Sequence, residues 1–371
     1  MPSRAPRIFI SAGEPSGDQH AARVAEALRR RWPDATIDAF GGPALRAAGA
    51  TVRFPMEAYT VIGFFEVLAK LPAHIRLYRS VVRDFRAGRY DLLVAVDYPG
   101  FNIRLAEAAR RSGVRSLYYI APQLWAWRPE RARRFAGATD RVAVILPFEP
   151  EFFGRVGVRA EFVGHPLVEH PPPARAQARV TLGLHENDRV LAIFPGSRNQ
   201  EIARLWPVFR TAAQRLLQDG ACTRVVIAGT AGREYPGSGT MLVHQGDGAT
   251  VLASADAALV KSGTTTLEAA LADTPMVVAY RVHPLTAAIA RRLMTVPWIS
   301  LVNLVAGRAV VPEVVQGAAN GDTLAGLVRP LLADGDATRA QHAALAEVRA
   351  RLGTPGAATR VAAMAEELLA A

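Results

Sequence analysis

Three short polar turns in the sequence each follow an apolar run and open a helical pattern. They lie at residues 13–18 (GEPSGD), 195–200 (PGSRNQ) and 261–268 (KSGTTTLE). Small residues let a ligand approach the backbone, and the free N–H groups at the positive end of a helix bind anions. The turns therefore indicate phosphate binding. Each region also has the capping-box spacing, a Ser or Thr followed three residues later by Glu or Gln, so helix capping alone is an alternative.

A carboxylate that can act as a general base stands at the end of another apolar run. Asp97 follows Leu92–Val96 and precedes a turn at 98–102 (YPGFN). At the carboxyl end of a buried strand such a side chain points into the ligand-binding crevice and can accept a proton. The alternative is that Asp97 only accepts hydrogen bonds from the next turn. Glu14 and Asp18 have two similar interpretations, since acidic side chains also stabilise the start of a helix.

Two tryptophans and an arginine follow a further strand end. Trp125, Trp127 and Arg128 lie in the segment 121–129 (APQLWAWRP). Flat aromatic rings beside a guanidinium group suit stacking on a sugar and binding of an anion. An aromatic pair buried under a loop explains the same residues.

Several common catalytic motifs are missing from the sequence. No strand is followed by Gly-x-Gly-x-x-Gly or by a Walker A sequence, which argues against NAD enzymes and P-loop ATPases. Neither a nucleophile elbow nor His-Glu-x-x-His occurs, which argues against the corresponding hydrolases. Asp334 and Asp336 fit a helix end and the next N-cap better than a metal site. We therefore predict chemistry that uses neither a metal nor a cofactor.

The composition is that of a basic globular protein. The 371 residues are 50% hydrophobic, and 44 basic against 33 acidic residues give a formal net charge of +11. Such an excess suits an anionic membrane surface, phosphorylated substrates or nucleic acid. No nucleic-acid-binding signature accompanies the scattered arginines, so nucleic acid is not expected. A single cysteine, Cys222, excludes a disulfide framework and fits a reducing compartment.

The three polar turns can form binding sites only if the strands before them end along the same side of a sheet. Apolar β-branched runs alternate with Ala/Leu/Arg helical patterns, which predicts βα units around parallel sheets. The predicted strands are Arg7–Ser11, Thr36–Phe40, Asp91–Val96, Arg115–Ile120, Arg141–Leu146, Arg189–Phe194, Arg224–Ala228, Ala257–Val260 and Met276–Tyr280. Because both halves open with strand, turn and helix, we expect an α/β protein with two Rossmann-like domains that face each other across a cleft.

A proline-rich segment divides the two halves. Three consecutive prolines within residues 169–176 exclude a helix and favour a stiff linker. We predict an N-terminal domain over 1–168 and a C-terminal domain over 177–336. Closing helices are expected over 337–371.

Eight segments of the sequence resemble the lipid-A-disaccharide synthase family. They run in order over most of the chain, at 11–18 (SAGEPSGD), 96–102 (VDYPGFN), 122–128 (PQLWAWR), 146–149 (LPFE), 162–166 (FVGHP), 195–201 (PGSRNQE), 261–268 (KSGTTTLE) and 300–308 (SLVNLVAGR). That family consists of inverting glycosyltransferases of the GT-B fold. The resemblance implies transfer of a diacylglucosamine from UDP-2,3-diacylglucosamine to the 6-hydroxyl of 2,3-diacylglucosamine 1-phosphate. The expected products are UDP and the β-1,6-linked lipid A disaccharide precursor.

Roles for particular residues follow from the resemblance together with their placement. Asp97 and Glu14 are the expected catalytic carboxylates. The residues expected to bind the UDP-sugar are Gly196, Ser197, Arg198, Glu201, Ser262, Gly263, Thr264, Glu268 and Asn303. The residues expected to bind the acceptor or lipid are Ser16, Trp125, Trp127, Arg128, Phe64, Phe65, Arg76 and Arg79.

The first domain is also expected to meet the membrane and the acyl chains, between Val61 and Arg86. The apolar run 61–71 is too short to span a bilayer. Beyond it, one helix face is predicted to carry Leu71, Ile75, Tyr78, Val82 and Phe85, beside a stripe of arginines. An ordinary surface helix packed on the sheet explains this pattern too. The lipid substrates that the resemblance implies favour an interfacial helix.

The expected location is the cytoplasmic side of the inner membrane of a Gram-negative bacterium, with the protein bound peripherally. No apolar stretch reaches the length of roughly 18 residues that a spanning helix needs, and the first residues are too polar for a secretory signal. A homodimer is an open alternative to a monomer. Two other functions stay open: another UDP-sugar-using GT-B enzyme, such as a UDP-GlcNAc transferase or 2-epimerase, and a non-catalytic module that binds anionic membranes.

Overall fold

The computed structural model describes residues 4–59, 64–126 and 130–371, and for residues 64–70 it describes the backbone only. The chain divides into two compact units. The first consists of Met1–Pro166 and Thr354–Ala371, and the second of Leu167–Gly353. No helix among the described residues is long and apolar enough to cross a bilayer.

Seven parallel strands form the sheet of the first unit. They are β1 (Arg7–Ser11), β2 (Thr36–Gly41), β3 (Thr51–Pro55), β4 (Leu92–Val96), β5 (Arg115–Tyr119), β6 (Arg141–Val144) and β7 (Ala160–Phe162). Their order in the sheet is β3-β2-β1-β4-β5-β6-β7. The direction of winding reverses between β1 and β4, and open α/β sheets bind ligands at the carboxyl ends of such a strand pair.

Helices cover both faces of this sheet. They are α1 (Pro15–Arg31), α2 (Pro43–Ala47), α3 (Phe64–Arg86), α4 (Pro99–Arg111), α5 (Arg131–Ala136) and α6 (Glu149–Gly154). Proline occupies the first turn of α1 and of α4, where its missing N–H costs nothing. Every side chain of β4 is buried, as expected for a parallel strand covered on both faces.

The second unit repeats the architecture with six parallel strands. They are β8 (Val190–Phe194), β9 (Arg224–Ala228), β10 (Leu242–His244), β11 (Ala257–Lys261), β12 (Met276–Tyr280) and β13 (Glu313–Val315), in the order β10-β9-β8-β11-β12-β13. The winding reverses between β8 and β11. The helices are α7 (Arg175–Thr181), α8 (Asn199–Gln218), α9 (Gly248–Ser254), α10 (Thr265–Leu271), α11 (Pro284–Leu293), α12 (Leu301–Ala306), α13 (Gly321–Val328) and α14 (Asp336–Arg351).

The two C-terminal helices do not form one closing element. The helix α14 packs against α10 and α12 of the second unit, whereas α15 (Ala357–Ala370) packs against α1 of the first. Val361, Ala365 and Leu368 of α15 belong to the first unit's hydrophobic core. The chain therefore returns to the first unit at its end. The segment 169–176 also differs from a plain linker, because α7 begins at Arg175.

The structure confirms the predicted α/β class with two Rossmann-like domains. All nine predicted strands are present, with ends that differ by at most two residues. Four strands were not predicted: β3, β7, β10 and β13. Each lies at an edge of its sheet.

Candidate active site

Two left-handed residues follow β4 and form the turn that carries the predicted general base. Asp97 and Tyr98 have φ angles of 47° and 48°. Residues other than glycine seldom adopt this conformation, and it costs on the order of 1–3 kcal/mol where the surroundings impose it. Two consecutive strained residues therefore lie where the winding of the first sheet reverses.

The side chain of Asn102 fixes this turn. It is fully buried, and its amide nitrogen lies 3.1 Å from the carbonyl oxygens of Ser11 and Val96 and 2.8 Å from that of Asp97. The Ser11 hydroxyl donates to the Asn102 amide oxygen at 2.6 Å. The Tyr118 hydroxyl donates to the Asp97 carbonyl at 2.6 Å. These bonds join the ends of β1 and β4 and hold the strained conformation.

The half-buried carboxyl group of Asp97 has a raised pKa. Burial is the main cause, the negative charge of Glu14 adds to it, and a hydrogen bond from the Tyr98 backbone N–H opposes both. A carboxylate with a raised pKa is a stronger base than an ordinary one. The two carboxylates named from the sequence thus interact electrostatically at one edge of the sheet.

Glu14→Gln should move the acid limb of the pH–activity profile to lower pH. A carboxylate acts as a base only when it is ionised, so activity that depends on Asp97 as the base is lost as the pH falls through its raised pKa. Removing the charge of Glu14 lowers that pKa, because this charge is one of its two causes. The measurement is kcat/KM against pH. Glu26→Gln removes an exposed carboxylate from α1, the helix that begins directly after Glu14. It should leave the acid limb at the same pH as in the wild type. An unmoved limb in Glu14→Gln would show that Asp97 is not the titrating base.

A cavity of about 750 Å³, which we call the aromatic pocket, adjoins the Asp97 turn. It lies between the turns that follow β1 and β4 and the helices α3 and α4, and its lining includes Glu14, Tyr59, Leu71, His74, Tyr98 and Arg104. His74 Nε2 lies 3.1 Å from Tyr98 Oη. A Cβ atom at Gly13 would lie 2.4 Å from the Tyr98 ring, so glycine is required there. The pocket combines an apolar wall with two carboxylates, Glu14 and Glu107, and two exposed arginines, of which Arg134 pairs with Glu107 and Arg104 is the other.

The turns after β8 and β11 form a second cavity, of about 290 Å³, which we call the turn pocket. Five residues predicted from the sequence line it: Gly196, Ser197, Glu201, Gly263 and Thr264. Lys261, the last residue of β11, lines it as well. Arg198 is the N-cap of α8, and its side chain is 84% exposed. The structure therefore brings most of the predicted phosphate-binding residues together.

The carboxylate of Glu201 shows that groups in this pocket bind a negatively charged side chain. It accepts hydrogen bonds from the backbone N–H groups of Ser197 (3.2 Å) and Arg198 (3.3 Å), and Lys261 Nζ lies 3.2 Å away. Burial opposes its charge, but Lys261 and the N–H groups outweigh burial and lower its pKa. Gly196, at φ 109°, leaves the necessary room, since a Cβ atom there would lie 2.6 Å from Glu201. The pocket thus stabilises negative charge.

The capping-box alternative holds only in part. In α8 one half of a box forms, one residue along from the predicted pair of Ser197 and Gln200, because the Arg198 backbone N–H donates to the Glu201 carboxylate. An arginine side chain has no acceptor, so it cannot supply the other half. In α1 the N-cap is Glu14, without a side-chain cap bond.

Four predicted donor-binding residues lie outside the lining of the turn pocket: Arg198, which is next to Ser197 in the chain, and Ser262, Glu268 and Asn303. Ser262 is 9% exposed and its hydroxyl donates to the Ile299 carbonyl at 2.6 Å. Asn303 is fully buried. Its side-chain amide nitrogen donates hydrogen bonds to the Val311 carbonyl and the Glu313 carboxylate, and its amide oxygen accepts from the backbone N–H groups of Val310 and Val311. Asn303 therefore stabilises its own loop. Glu268 is half-buried, and burial raises its pKa.

The predicted acceptor residues are only partly brought together. Trp125 is 5% exposed, and its indole N–H donates to Glu149 at 3.0 Å, so the ring is a core residue and not an open stacking surface. Asp18 is likewise structural, since its carboxylate accepts from the backbone N–H groups of Gly42 and Ala44. Ser16 is exposed in the first turn of α1. Trp127 and Arg128 lie outside the described residues, as do the side chains of Phe64 and Phe65.

The helix α3 splits the apolar face that the sequence predicted. Val82 and Phe85 are buried in the core, whereas Leu71 and Ile75 are 49% and 42% exposed. The arginines beside this face, Arg76, Arg79, Arg83 and Arg86, are exposed. The ordinary packing explanation therefore holds for the end of the helix, and its earlier part leaves apolar side chains open to solvent.

Sequence reasoning missed three residues of these sites. Asn102 and Tyr98 were read only as turn residues, and Lys261 only as part of a motif. A signal for Lys261 existed, because it is one of two lysines among 44 basic residues. In a chain that otherwise uses arginine, a lysine at the end of a strand is unusual.

Solved structures with the same architecture identify the fold. The glycotransferase of kitacinnamycin gives a TM-score of 0.61 at 17% identity, covering 98% of this chain and 99% of that one. A UDP-GlcNAc 2-epimerase from Neisseria meningitidis, solved with UDP-GlcNAc bound, gives a TM-score of 0.61 at 10% identity, covering 98% and 99%. At such identities the likeness shows the fold alone, the two-domain GT-B fold.

Sequence comparison identifies the family. The model of the lipid-A-disaccharide synthetase family matches residues 8–366. The lipid-A-disaccharide synthase of Anaeromyxobacter sp. (strain K) is 44% identical over 373 aligned positions, covering 98% of this chain and 97% of that relative. The chain belongs to the lipid-A-disaccharide synthase family and is a glycosyltransferase. The resemblance drawn from its motifs is confirmed.

Proposed function

We propose that the chain transfers 2,3-diacylglucosamine from UDP-2,3-diacylglucosamine to the 6-hydroxyl of 2,3-diacylglucosamine 1-phosphate, with inversion at the anomeric carbon. The observation that carries this proposal is that one unit has a turn with a candidate base and the other has a turn pocket that stabilises negative charge. Each lies at the carboxyl ends of the two strands between which the winding of its sheet reverses. The test is whether the chain joins these two acylated glucosamines into one disaccharide 1-phosphate as it releases UDP.

Asp97 is the general base of the proposed step. Its carboxylate takes the proton from the acceptor 6-hydroxyl, whose oxygen then attacks the anomeric carbon of the donor. The new C–O bond forms on the face opposite the departing UDP, which leaves with the electron pair of the broken C–O bond. This single displacement inverts the configuration and gives the β linkage.

The turn pocket holds the diphosphate of the donor in this proposal. Lys261 and the N–H groups of Ser197 and Arg198 already stabilise the Glu201 carboxylate there. Preorganised donors of this kind also stabilise the charge that develops on a departing diphosphate. Arg198, exposed at the rim, adds a planar cation suited to phosphate oxygens.

The aromatic pocket suits the acylated acceptor. Its apolar wall includes Leu71 and Ile75, which are 49% and 42% exposed. Arg104, on the same wall, is a cation suited to a sugar phosphate. A UDP-sugar epimerase shares the fold but has no use for such a wall, so this observation favours the lipid-linked transferase.

Variants of α3 test the proposed peripheral attachment to the cytoplasmic face of the inner membrane. The variant with Leu71→Ser, Ile75→Ser, Arg76→Glu and Arg79→Glu should bind anionic vesicles at least about tenfold more weakly, because it loses both apolar insertion and charge attraction. The measurement is vesicle sedimentation. Leu242→Ser, at an exposed leucine of the second unit, is the control. Unchanged binding by the folded α3 variant would place the membrane surface elsewhere.

A further inference from the structure

Exposed apolar side chains concentrate on two helices. In the part of the chain that the structure describes, eight large hydrophobic side chains are at least 36% exposed, and five of them belong to α3 or α11: Leu71, Ile75, Leu285, Ile289 and Leu293. The helix α3 is already accounted for in the first unit. The helix α11 belongs to the second unit and has no assigned role.

The helix α11 lies entirely on the surface. None of its ten residues is buried. Leu285, Ile289 and Leu293 are 66%, 51% and 36% exposed, and their spacing of four residues places them along one side of the helix. A surface helix normally buries such a stripe against its own sheet. This one leaves it open.

The charge around the stripe has one sign. Residues 281–300 contain three arginines and no acidic residue. Arg291 and Arg292 are exposed in the last turn of α11, and neither forms an ion pair with a described residue. At 100° per residue Arg292 lies beside the stripe, and Arg291 lies toward the opposite side of the helix. An apolar stripe with a cation beside it and no acidic residue nearby in the sequence is typical of a helix that lies in the head-group region of an anionic bilayer.

The start of α11 is anchored beside the turn pocket. It follows β12, which pairs with β11, the strand that ends in Lys261. The Val282 N–H donates to the Gln316 side chain at 3.0 Å, and the Leu285 N–H donates to His283 Nδ1 at 3.3 Å. The helix therefore begins at the carboxyl ends of the strands, where the proposed donor site also lies.

We propose that α11 is a second membrane-contacting helix, which seats the unit that holds the donor on an anionic lipid surface. The proposal rests on the proposed function in one respect, since lipid-linked substrates give each unit a reason to meet the bilayer. A second copy of the chain fits the stripe less well. A two-fold contact between copies of α11 through this stripe would place Arg292 of both copies at the contact, where like charges repel.

A fluorophore on α11 tests this contact directly. Cys222 is 2% exposed, and burial raises its pKa to about 12, so it does not compete for a thiol label. Ile289→Cys carrying an environment-sensitive dye should shift to shorter wavelength with phosphatidylcholine vesicles that contain phosphatidylglycerol. Val180→Cys, at a site 73% exposed in the same unit, should not shift. Equal responses at both sites, or none at position 289, would overturn the proposal.

A second variant measures the strength of the contact. Leu285→Ser with Ile289→Ser should lower partitioning into the same vesicles at least about tenfold, since each aliphatic side chain loses its burial in lipid, whereas Val180→Ser should not. If the dye shifts with protein concentration in the absence of vesicles, and the serine variant abolishes a dimer in sedimentation equilibrium, the stripe is a self-association surface and the proposal is wrong.

The vesicle experiments can fail or succeed independently of the proposed transferase activity. The vesicles contain no sugar substrate, so their binding is independent of turnover. The serine variant should retain wild-type turnover when both substrates are presented in detergent micelles. Loss of micellar turnover in a folded serine variant would show that α11 serves the sugar site and not the membrane.

Discussion

Asp97→Asn should reduce turnover by about 10²–10⁴-fold and leave the affinity for UDP unchanged, because general base catalysis contributes on that order. Asparagine has nearly the same shape but cannot take up a proton at the pH of the reaction. It also tolerates the left-handed conformation that the turn imposes at φ 47°. The Asn102 hydrogen bond goes to the backbone carbonyl of residue 97 and is therefore kept.

A matched substitution separates chemistry from folding. Asp18→Asn changes a carboxylate of the same unit that accepts hydrogen bonds only from a neighbouring turn. It should lower the free energy of unfolding and keep turnover per folded molecule. If Asp97→Asn behaved in the same way, Asp97 would be a turn-capping residue and not the base.

Arg198→Ala should weaken UDP binding by about 10–150-fold, the effect of losing a charge-assisted hydrogen bond worth roughly 1.5–3 kcal/mol. The side chain of Arg198 is 84% exposed, and its guanidinium group lies 3.7 Å from the Glu201 carboxylate. It is therefore available to a diphosphate in the turn pocket. Isothermal titration with UDP measures the effect.

Two further variants define the role of this cation. Arg198→Lys keeps the charge but loses the planar fork, so its affinity should lie between those of wild type and Arg198→Ala. Arg308→Ala removes another exposed arginine of the same unit, one that pairs with Glu347 and is not adjacent in the chain to a residue of the turn pocket, and it should bind UDP normally. Normal UDP binding by Arg198→Ala would remove Arg198 from the donor site.

The central strands could be predicted from the sequence because burial on both faces makes them long apolar runs. The five residues of β4 are all buried, and Leu92–Val96 contains no polar residue. The missed strands β3 and β13 show the opposite case. They lie at sheet edges, include exposed or half-buried positions, and so lack an apolar run.

The candidate site could be predicted where a small or acidic residue closely follows a predicted strand. Gly196, Ser197 and Asp97 are of this kind, since parallel strands bring their carboxyl ends to one edge. Trp125 and Asn303 were not, because their roles depend on distant partners. Glu149, which accepts the Trp125 indole N–H, lies 24 residues away along the chain, and no local pattern reveals that bond.

The most direct test of the proposed activity is mass spectrometry of the product. Wild-type protein is incubated with UDP-2,3-diacylglucosamine and 2,3-diacylglucosamine 1-phosphate, and the product is then analysed by NMR for the configuration of its linkage. We expect one β-1,6-linked tetraacyl disaccharide 1-phosphate for each UDP released, and no product when either substrate lacks its acyl chains. Release of UDP with only free or epimerised sugar as product, or equal turnover of the deacylated substrates, would contradict the account.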